Sequence, residues 1–470
     1  MSAIGAAQNS IPGESRLQAI VGARFEIGDG RVIEKGNLVI RNGVITAIGP
    51  DAVVPAGAEI LDGKGLTVYP GLIDGFSNKG VKAPDPKTDQ DLVAAPGDYA
   101  SAFMRPANRK GIRPELQARQ ALALADDQLK GYRNAGFTTA MIVPDGGYIT
   151  GVGTLVNLSG RPPREAVVVP MTGMDITFEG AGSFGGPYPG SLLGRIAQVR
   201  QALADGLWYR QSLAAFNAGG AQRAPSDITL ESLQPILSGG MTSMIEADTA
   251  AQIDRAQKVT KEFGLKTMLV GGLEAFRRLD VIKQLGRPLI LGLNFGADPA
   301  APTPAAKPDP AAKPDPAAKP VEKEAVTPED APAILETEDR LAERKRIVQR
   351  SAHNAEELRS AGILFALSTR GAKTPAEFME RLRKTVKEGL PRATALRSLT
   401  LDAAKVFGVD RQLGTLEVGK IANVVAMTGD FLDEKTKVKM LYIDGRKIDP
   451  TRDADPTVPQ FKFNGEEEGR

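Results

Sequence analysis

The sequence predicts an α/β protein whose central part is a (β/α)8 barrel of the TIM type. From residue 70 to about 395, short apolar segments alternate with longer segments whose apolar residues recur at helical spacing. The short segments are nearly continuously apolar, which is typical of parallel strands covered by helices. β-rich stretches at both ends of the chain flank this region.

Strands of the central region are predicted at 135–144, 166–171, 242–247, 266–272, 288–293 and 363–367. A helix is predicted at 114–129, where Pro114 lies near the start, a position that tolerates proline. Another is predicted from Ser191, whose hydroxyl can cap it. Further helices are predicted at 249–263, 274–285 and 352–361.

The N-terminal part of the chain predicts β-structure. Residues 19–25 are apolar and β-rich, and residues 38–48 alternate around Asn42-Gly43, the strongest short hairpin signal. A second turn is predicted at 62–65, before an apolar entry strand.

Composition narrows the function classes. The chain has 470 residues, which predicts about two or three domains. It has no cysteine, which excludes disulfides and thiolate metal sites, and its one histidine excludes a histidine-rich zinc centre. A net charge of +2 gives no reason to expect nucleic-acid binding, and no apolar run reaches the roughly 18 residues of a membrane span.

Motifs near both ends carry a family resemblance. Pro70-Gly-Leu-Ile-Asp74, the segment 399–408 and Gly419-Lys-Ile-Ala-Asn-Val-Val425 resemble motifs of the amidohydrolase superfamily. Weaker matches at 144–147, 191–194 and 293–295 resemble its imidazolonepropionase-like branch. The resemblance implies a barrel at 70–408, a small composite β-sandwich domain from 17–69 and 409–455, and tails at 1–16 and 456–470.

Two stretches interrupt the barrel pattern. Residues 297–333 contain a tandem six-residue repeat, Ala-Ala-Lys-Pro-Asp-Pro, which predicts a solvated, extended insertion. It is either an arm that binds a partner or covers the barrel mouth, or a tolerated loop insertion. Residues 180–190 are rich in glycine and predict an irregular loop that could lie at the mouth.

The resemblance also implies where a catalytic metal would be held, and this sequence departs from it there. Phe76 and Asn78 stand at the positions of the family's first-strand histidines. Glu246 stands near the histidine after the fifth strand, and the pair Gly271-Gly272 near the one after the sixth. Arg370 stands where the last strand carries a metal-binding aspartate.

Arg370 is the most informative of these positions, because a guanidinium stays protonated and cannot bind a cation. A buried, unpaired guanidinium would be costly, so a carboxylate should pair with it. Glu246 is the first candidate, and Asp74 and Asp248 follow. The two alternatives are an ion pair that fills the metal cavity, or an anion-binding mouth in which Arg370 and Lys79 hold a carboxylate.

Three other residues are weaker candidates. His353 is predicted at the surface or at a helix start, outside the chemistry. Asp145 begins a glycine turn that could cap the mouth. Asp175, near the end of the fourth strand, is expected to cap a helix rather than act as an acid.

Two functions remain open from the sequence. The first is a metal-free, non-catalytic or metal-independent protein that binds a small, anionic molecule and has no cofactor. The alternative is a hydrolase of C–N bonds, such as non-peptide or dipeptide amides, with an oxygen-ligated divalent metal such as Mg or Mn. A homodimer is expected by resemblance alone. Location stays open between the cytoplasm and export, since the Ala-rich start could remain after signal-peptide removal.

Overall fold

The computed structural model describes residues 17–81, 111–124, 126–179, 191–220, 222, 225–295 and 338–450. The predicted tails, the 180–190 loop and the 297–333 insertion therefore lie outside the described residues. Among the residues described, no helix is both long enough and apolar enough to cross a bilayer.

The strands, in chain order, are β1 (Leu17–Glu26), β2 (Val32–Arg41), β3 (Val44–Gly49), β4 (Glu59–Asp62), β5 (Thr67–Pro70), β6 (Leu72–Ser77), β7 (Phe137–Ile142), β8 (Ile149–Val152), β9 (Thr154–Asn157), β10 (Val167–Val169), β11 (Met174–Ile176), β12 (Ser243–Ala247), β13 (Thr267–Gly271), β14 (Leu289–Gly292), β15 (Phe365–Ser368), β16 (Val424–Met427), β17 (Val438–Ile443) and β18 (Arg446–Ile448).

The helices are α1 (Asp126–Asn134), α2 (Pro163–Ala166), α3 (Leu192–Asn217), α4 (Ile228–Ser232), α5 (Gln234–Leu237), α6 (Ala250–Phe263), α7 (Leu279–Leu285), α8 (Glu338–Ser360), α9 (Pro375–Lys387), α10 (Arg392–Ser398) and α11 (Leu401–Val406). Short 3-10 turns lie at Ala118–Gln120 and Ala275–Arg277.

Both ends of the described chain build one β-sheet, with strand order β18-β17-β16-β5-β1-β2-β3 and β4 beside β1. The β2–β3 hairpin turns at Asn42 and Gly43, which have φ of 50° and 85°, as the Asn-Gly signal predicts. The predicted sandwich of two sheets is instead one hydrogen-bonded sheet. The reason is that β1 has irregular pairing between Val21 and Phe25. On the edge opposite β2, its first half pairs with β4 and its second half pairs with β5.

The central region holds two mixed sheets, with orders β10-β9-β7-β6 and β15-β14-β13-β12-β11-β8. Strands β11 to β15 run parallel to one another, and β6 runs parallel to β7. The expectation of a wholly parallel sheet is wrong at β8, β9 and β10, which pair antiparallel with β11, β7 and β9. The chain reverses direction between β7 and β9, so antiparallel pairings replace one strand–helix unit.

The two central sheets adjoin where β6 lies beside β15. A Cβ added at Gly75 would lie 2.8 Å from the carbonyl oxygen of Leu367, so only glycine permits this approach. One buried cluster draws side chains from strands of both sheets: Ile73, Met141, Leu155, Met244, Met268, Ile290 and Ala366. These apolar side chains therefore form a common interior between the two sheets.

Helix starts were predicted correctly where the capping residue bonds to the first turn of its own helix. Ser191 accepts a hydrogen bond from the Gly194 amide at the start of α3, and Thr249 forms a capping box with Gln252 at the start of α6. The helix predicted at 114–129 is wrong, because only its last residues belong to α1. Val152 donates to the Leu116 carbonyl, so this backbone is used in a β-bridge rather than in a helix.

Candidate functional site

The candidate site lies at the C-terminal ends of the central strands. A cavity of about 200 Å³ opens there, and its lining includes Asn78 after β6, Asp145 after β7, Asp175 of β11, Glu179 and Glu246 of β12. In barrel proteins this end of the strands is the functional face, because loops of several strands converge on it.

Arg370, two residues after β15, joins two carboxylates across this face. Its Nε donates to Glu246 Oε2 at 2.9 Å, and its Nη2 donates to the same oxygen. Its Nη1 donates to Asp248 Oδ2 at 2.6 Å. Burial opposes the charged guanidinium, but Glu246 and Asp248 together raise the pKa of Arg370 above its ordinary value. The ion pair expected from the charge argument is therefore present, and Asp248 shares it.

Space for this pair comes from a glycine on the neighbouring strand. Gly271 ends β13 with φ of 106°, and a Cβ there would lie 2.3 Å from Asp248 Oδ1 and 3.2 Å from Arg370 Nη1. The glycine at the position of the family's sixth-strand histidine thus makes room for the carboxylate–guanidinium contact. Asp248 is fixed in turn by its amide, which donates to Gln252 Oε1 at 2.7 Å.

Asp175 is the most deeply buried carboxylate of the cavity, at 1% exposure. Its Oδ2 accepts a hydrogen bond of 2.8 Å from Thr150, whereas its Oδ1 has no hydrogen-bond partner. Burial, and next the charge of Glu246, raise the pKa of Asp175 well above its ordinary value. The pKa of Glu246 is also raised, by burial that outweighs the attraction of Arg370.

Asp74, in the entry motif, does not pair with Arg370. Its Oδ1 accepts from the Thr369 amide at 2.8 Å, and its Oδ2 accepts from the Thr369 hydroxyl at 2.6 Å and from Tyr132 at 3.1 Å. Burial raises the pKa of Asp74 to about 6 despite these bonds. This network ties β6 to the loop that carries Arg370, so Asp74 positions that loop from beneath.

The other residues predicted at the mouth divide into two groups. Asn78 lines the cavity, but Phe76 is 2% exposed and packs in the interior cluster. Lys79 donates to the carbonyls of Ala372 and Lys373 at 3.3 and 2.7 Å, which holds the loop after Arg370. In the structure Arg370 and Lys79 each donate to acceptors of the chain itself, and anion binding by this pair stays a prediction.

Two weaker predictions also need correction. His353 lies in the middle of α8 rather than at its start, half-buried, with Nδ1 against the Glu388 carbonyl. Asp175 caps no helix, because it lies within β11 and faces the cavity. Asp145 begins a turn at the mouth, where its Oδ1 accepts from the Gly146 amide at 2.8 Å.

Sequence reasoning gave Asp175 too little weight and missed Thr150 and Tyr132. An aspartate inside an apolar run at a strand end is the signal that could have marked Asp175. Thr150 and Tyr132 carry no such signal, since hydroxyls are common in buried strands and helices.

Comparisons with known proteins agree on one family. The model of the Amidohydrolase family matches residues 317–448. The crystal structure of an amidohydrolase from Thermotoga maritima MSB8 superimposes with a TM-score of 0.68 at 19% identity, covering 92% of this chain and 99% of that one. These findings support an amidohydrolase-superfamily member.

Two further relatives extend the comparison. A segment of 122 residues is 32% identical to imidazolonepropionase of Deinococcus radiodurans, covering 25% of this chain and 30% of that protein's length. The structure of a Xaa-Pro dipeptidase with bound methionine matches with a TM-score of 0.50 at 16% identity, over 92% of this chain and 100% of that one. The chain thus matches less than a third of the curated relative, and the superfamily's hydrolase-like barrel is what these likenesses support.

Within the parts of the chain that the structure describes, no group of three or more histidine, aspartate or glutamate side chains is arranged to hold a metal ion. The carboxylates nearest the strand ends instead meet a guanidinium, a threonine hydroxyl or a glutamine amide.

Proposed function

We propose that this protein is a metal-independent member of the amidohydrolase superfamily that binds a small molecule in the cavity at its strand ends. The contact that carries the proposal is the ion pair of Arg370 with Glu246 and Asp248. We further infer that strands β6, β7 and β11 to β15, with the β8–β9 segment, close into a (β/α)8 barrel. The interior cluster shared by both sheets supports that closure.

The donor set around Arg370 does not fit a divalent metal. The guanidinium of Arg370 holds Oε2 of Glu246 and Oδ2 of Asp248, two of the oxygens that a divalent metal between these strand ends would need. Phe76 offers no ligand atom, and Asn78 offers a single amide oxygen. We therefore derive no metal-assisted step for this site.

The competing proposal is a hydrolase of C–N bonds that acts through a metal held by carboxylates. It would require Arg370 to leave both Glu246 and Asp248, which breaks two ion pairs in a largely buried setting. Removing one partner of such a pair costs about 3–5 kcal/mol. The metal's binding energy would have to exceed that cost before a stable site could form.

Metal analysis separates the two. The protein should be produced in medium supplemented with zinc and manganese, purified without chelators, and analysed by inductively coupled plasma mass spectrometry. The proposal expects metal far below one equivalent per chain. Near-stoichiometric metal that survives gel filtration would contradict the proposal and favour the competing function.

A further inference from the structure

The cavity at the strand ends is lined by acidic side chains. Asp145, Asp175, Glu179 and Glu246 all contribute to the lining of its 200 Å³ volume. Over the described residues, no lysine or arginine belongs to that lining. Arg370 is not part of the lining, and both of its hydrogen bonds to Glu246 go to Oε2. The surface offered to a ligand therefore carries acceptor oxygens.

One of these acceptors is left without a partner. Asp175 is 1% exposed, and its Oδ1 is buried with no hydrogen bond, while Oδ2 is held by Thr150. An unpaired buried carboxylate oxygen costs free energy, so a hydrogen-bond donor placed against it would be stabilising. A cationic donor that enters the cavity would satisfy it and would also offset the burial and, next, the repulsion by Glu246 that raise the pKa of Asp175.

The arginines next to the cavity do not make the charge of its lining positive. Arg113 donates from Nη2 to the backbone carbonyl of Gly146, and Arg195 donates from Nη1 to the backbone carbonyl of Glu179 at 2.8 Å. Glu179 itself receives the side-chain amide of Gln252. These contacts shape the rim of the cavity without placing a guanidinium in its lining.

We infer that the cavity binds a small organic cation, a primary ammonium on a short aliphatic chain, with Asp175 Oδ1 as its main acceptor. An ammonium has three donors, which match Asp175, Glu246 and the amide oxygen of Asn78. Val143 and Pro144, also in the lining, offer apolar contact for the chain. The cavity is below the roughly 300–1,000 Å³ of common ligand pockets, so the ligand is small. This inference rests on the metal-independent function proposed above.

The test uses three probes of equal length on the full-length protein: propylammonium chloride, 1-propanol and sodium propionate, at matched ionic strength. Calorimetry and thermal-shift measurements should detect propylammonium binding with a Kd of roughly millimolar magnitude. They should detect no binding of 1-propanol or propionate. Asp175→Asn should weaken propylammonium binding about tenfold or more, as expected for loss of a charge-assisted bond.

Asp444→Asn is the matched control, because Asp444 is a partly buried aspartate bonded by Asn157 and lies outside the cavity lining. It should leave propylammonium affinity unchanged. If Asp175→Asn does not fold, Thr150→Val replaces it and should weaken binding several-fold by freeing Asp175 from its anchor.

Three results would overturn the inference: binding of propionate instead of propylammonium, no shift with any probe, or unchanged affinity in the folded Asp175 variant. None of these results tests metal independence, and that part of the proposed function fails if the protein carries stoichiometric metal. The two failures are therefore distinguishable by running the metal analysis on the same preparation.

Discussion

Arg370 donates two guanidinium hydrogen bonds to a single carboxylate oxygen, Oε2 of Glu246. The two residues lie at the C-terminal ends of β15 and β12, which β13 and β14 separate in the sheet. Their side chains are 21% and 18% exposed, so the contact is largely shielded from water. Asp248 completes the set from the same strand end as Glu246. A cation supplied by the chain itself thus neutralises the centre of the functional face.

Removing that cation should make the face attractive to metal. In Arg370→Ala, or Arg370→Gln if alanine does not fold, Glu246 and Asp248 lose their partner, and Mn²⁺ should raise the Tm in a concentration-dependent way because it binds the folded state. The wild-type protein should show no such rise.

Arg392→Ala is the control for that experiment, since Arg392 also bridges two carboxylates, Glu26 at 2.8 Å and Asp430 at 2.5 Å, away from the cavity. It should lose stability without gaining Mn²⁺ binding. A wild-type protein that responds to Mn²⁺ as strongly as the Arg370 variant would count against the account.

Glu246→Gln should be strongly destabilising. The substitution leaves a shielded guanidinium with one carboxylate and turns an acceptor into a donor, at a cost of about 2–4 kcal/mol. Glu262→Gln serves as a comparison, because Glu262 pairs with Arg200 on the surface at 2.7 Å, and exposed pairs contribute below about 1 kcal/mol. Urea denaturation of both variants measures the difference, and equal losses would show that the central pair is no more important than a surface one.

Gly271→Ala should disturb the ion pair through sterics. The new Cβ would lie 2.3 Å from Asp248 Oδ1, in a backbone conformation with φ of 106°. Gly264→Ala, at φ of 64° with no atom within 4 Å, isolates the backbone term, which is about 1–2 kcal/mol. Thermal unfolding should place Gly271→Ala clearly below Gly264→Ala in stability. Equal stability of the two variants would mean that Asp248 moves aside at no cost.

The buried carboxylate of Asp74 predicts a pH effect with a defined sign. Burial raises the pKa of Asp74 to about 6 in the folded protein, against about 3.9 in the unfolded chain. The folded state therefore holds this proton more tightly, and the stability it provides is lost as pH rises from about 4 to about 6.

Asp74→Asn removes that titration while keeping an acceptor for Thr369. The stability of the wild-type protein relative to Asp74→Asn should fall by about 2–3 kcal/mol between pH 4 and pH 7. Guanidinium denaturation at a series of pH values gives this difference directly. A difference that stays constant over the range would show that Asp74 has an ordinary pKa.

Local signals predicted much of the fold. Asn42-Gly43 requires positive φ and forms the hairpin, and Ser191 and Thr249 cap helices because capping depends on three or four adjacent residues. The failure at 114–129 has a non-local cause. Leu116 and its neighbours bond to β8, which lies about 35 residues further along the chain.

The candidate site was predicted in part. Charge balance was enough to pair Arg370 with Glu246, because a shielded guanidinium needs a carboxylate wherever the fold places it. The second ion pair, between Arg370 and Asp248, depends on the space left by Gly271, and no rule of sequence spacing predicts that space. Asp175 lies in a three-residue strand, too short for periodicity to show which face it occupies.

The central claim is that Arg370 takes the place of a metal at the strand ends. Anomalous diffraction from crystals grown with manganese or zinc chloride tests it most directly. We predict guanidinium density in contact with Glu246 and Asp248 and no anomalous peak between the strand ends. A well-occupied anomalous peak there, bonded to the carboxylates that Arg370 now holds, would contradict the account.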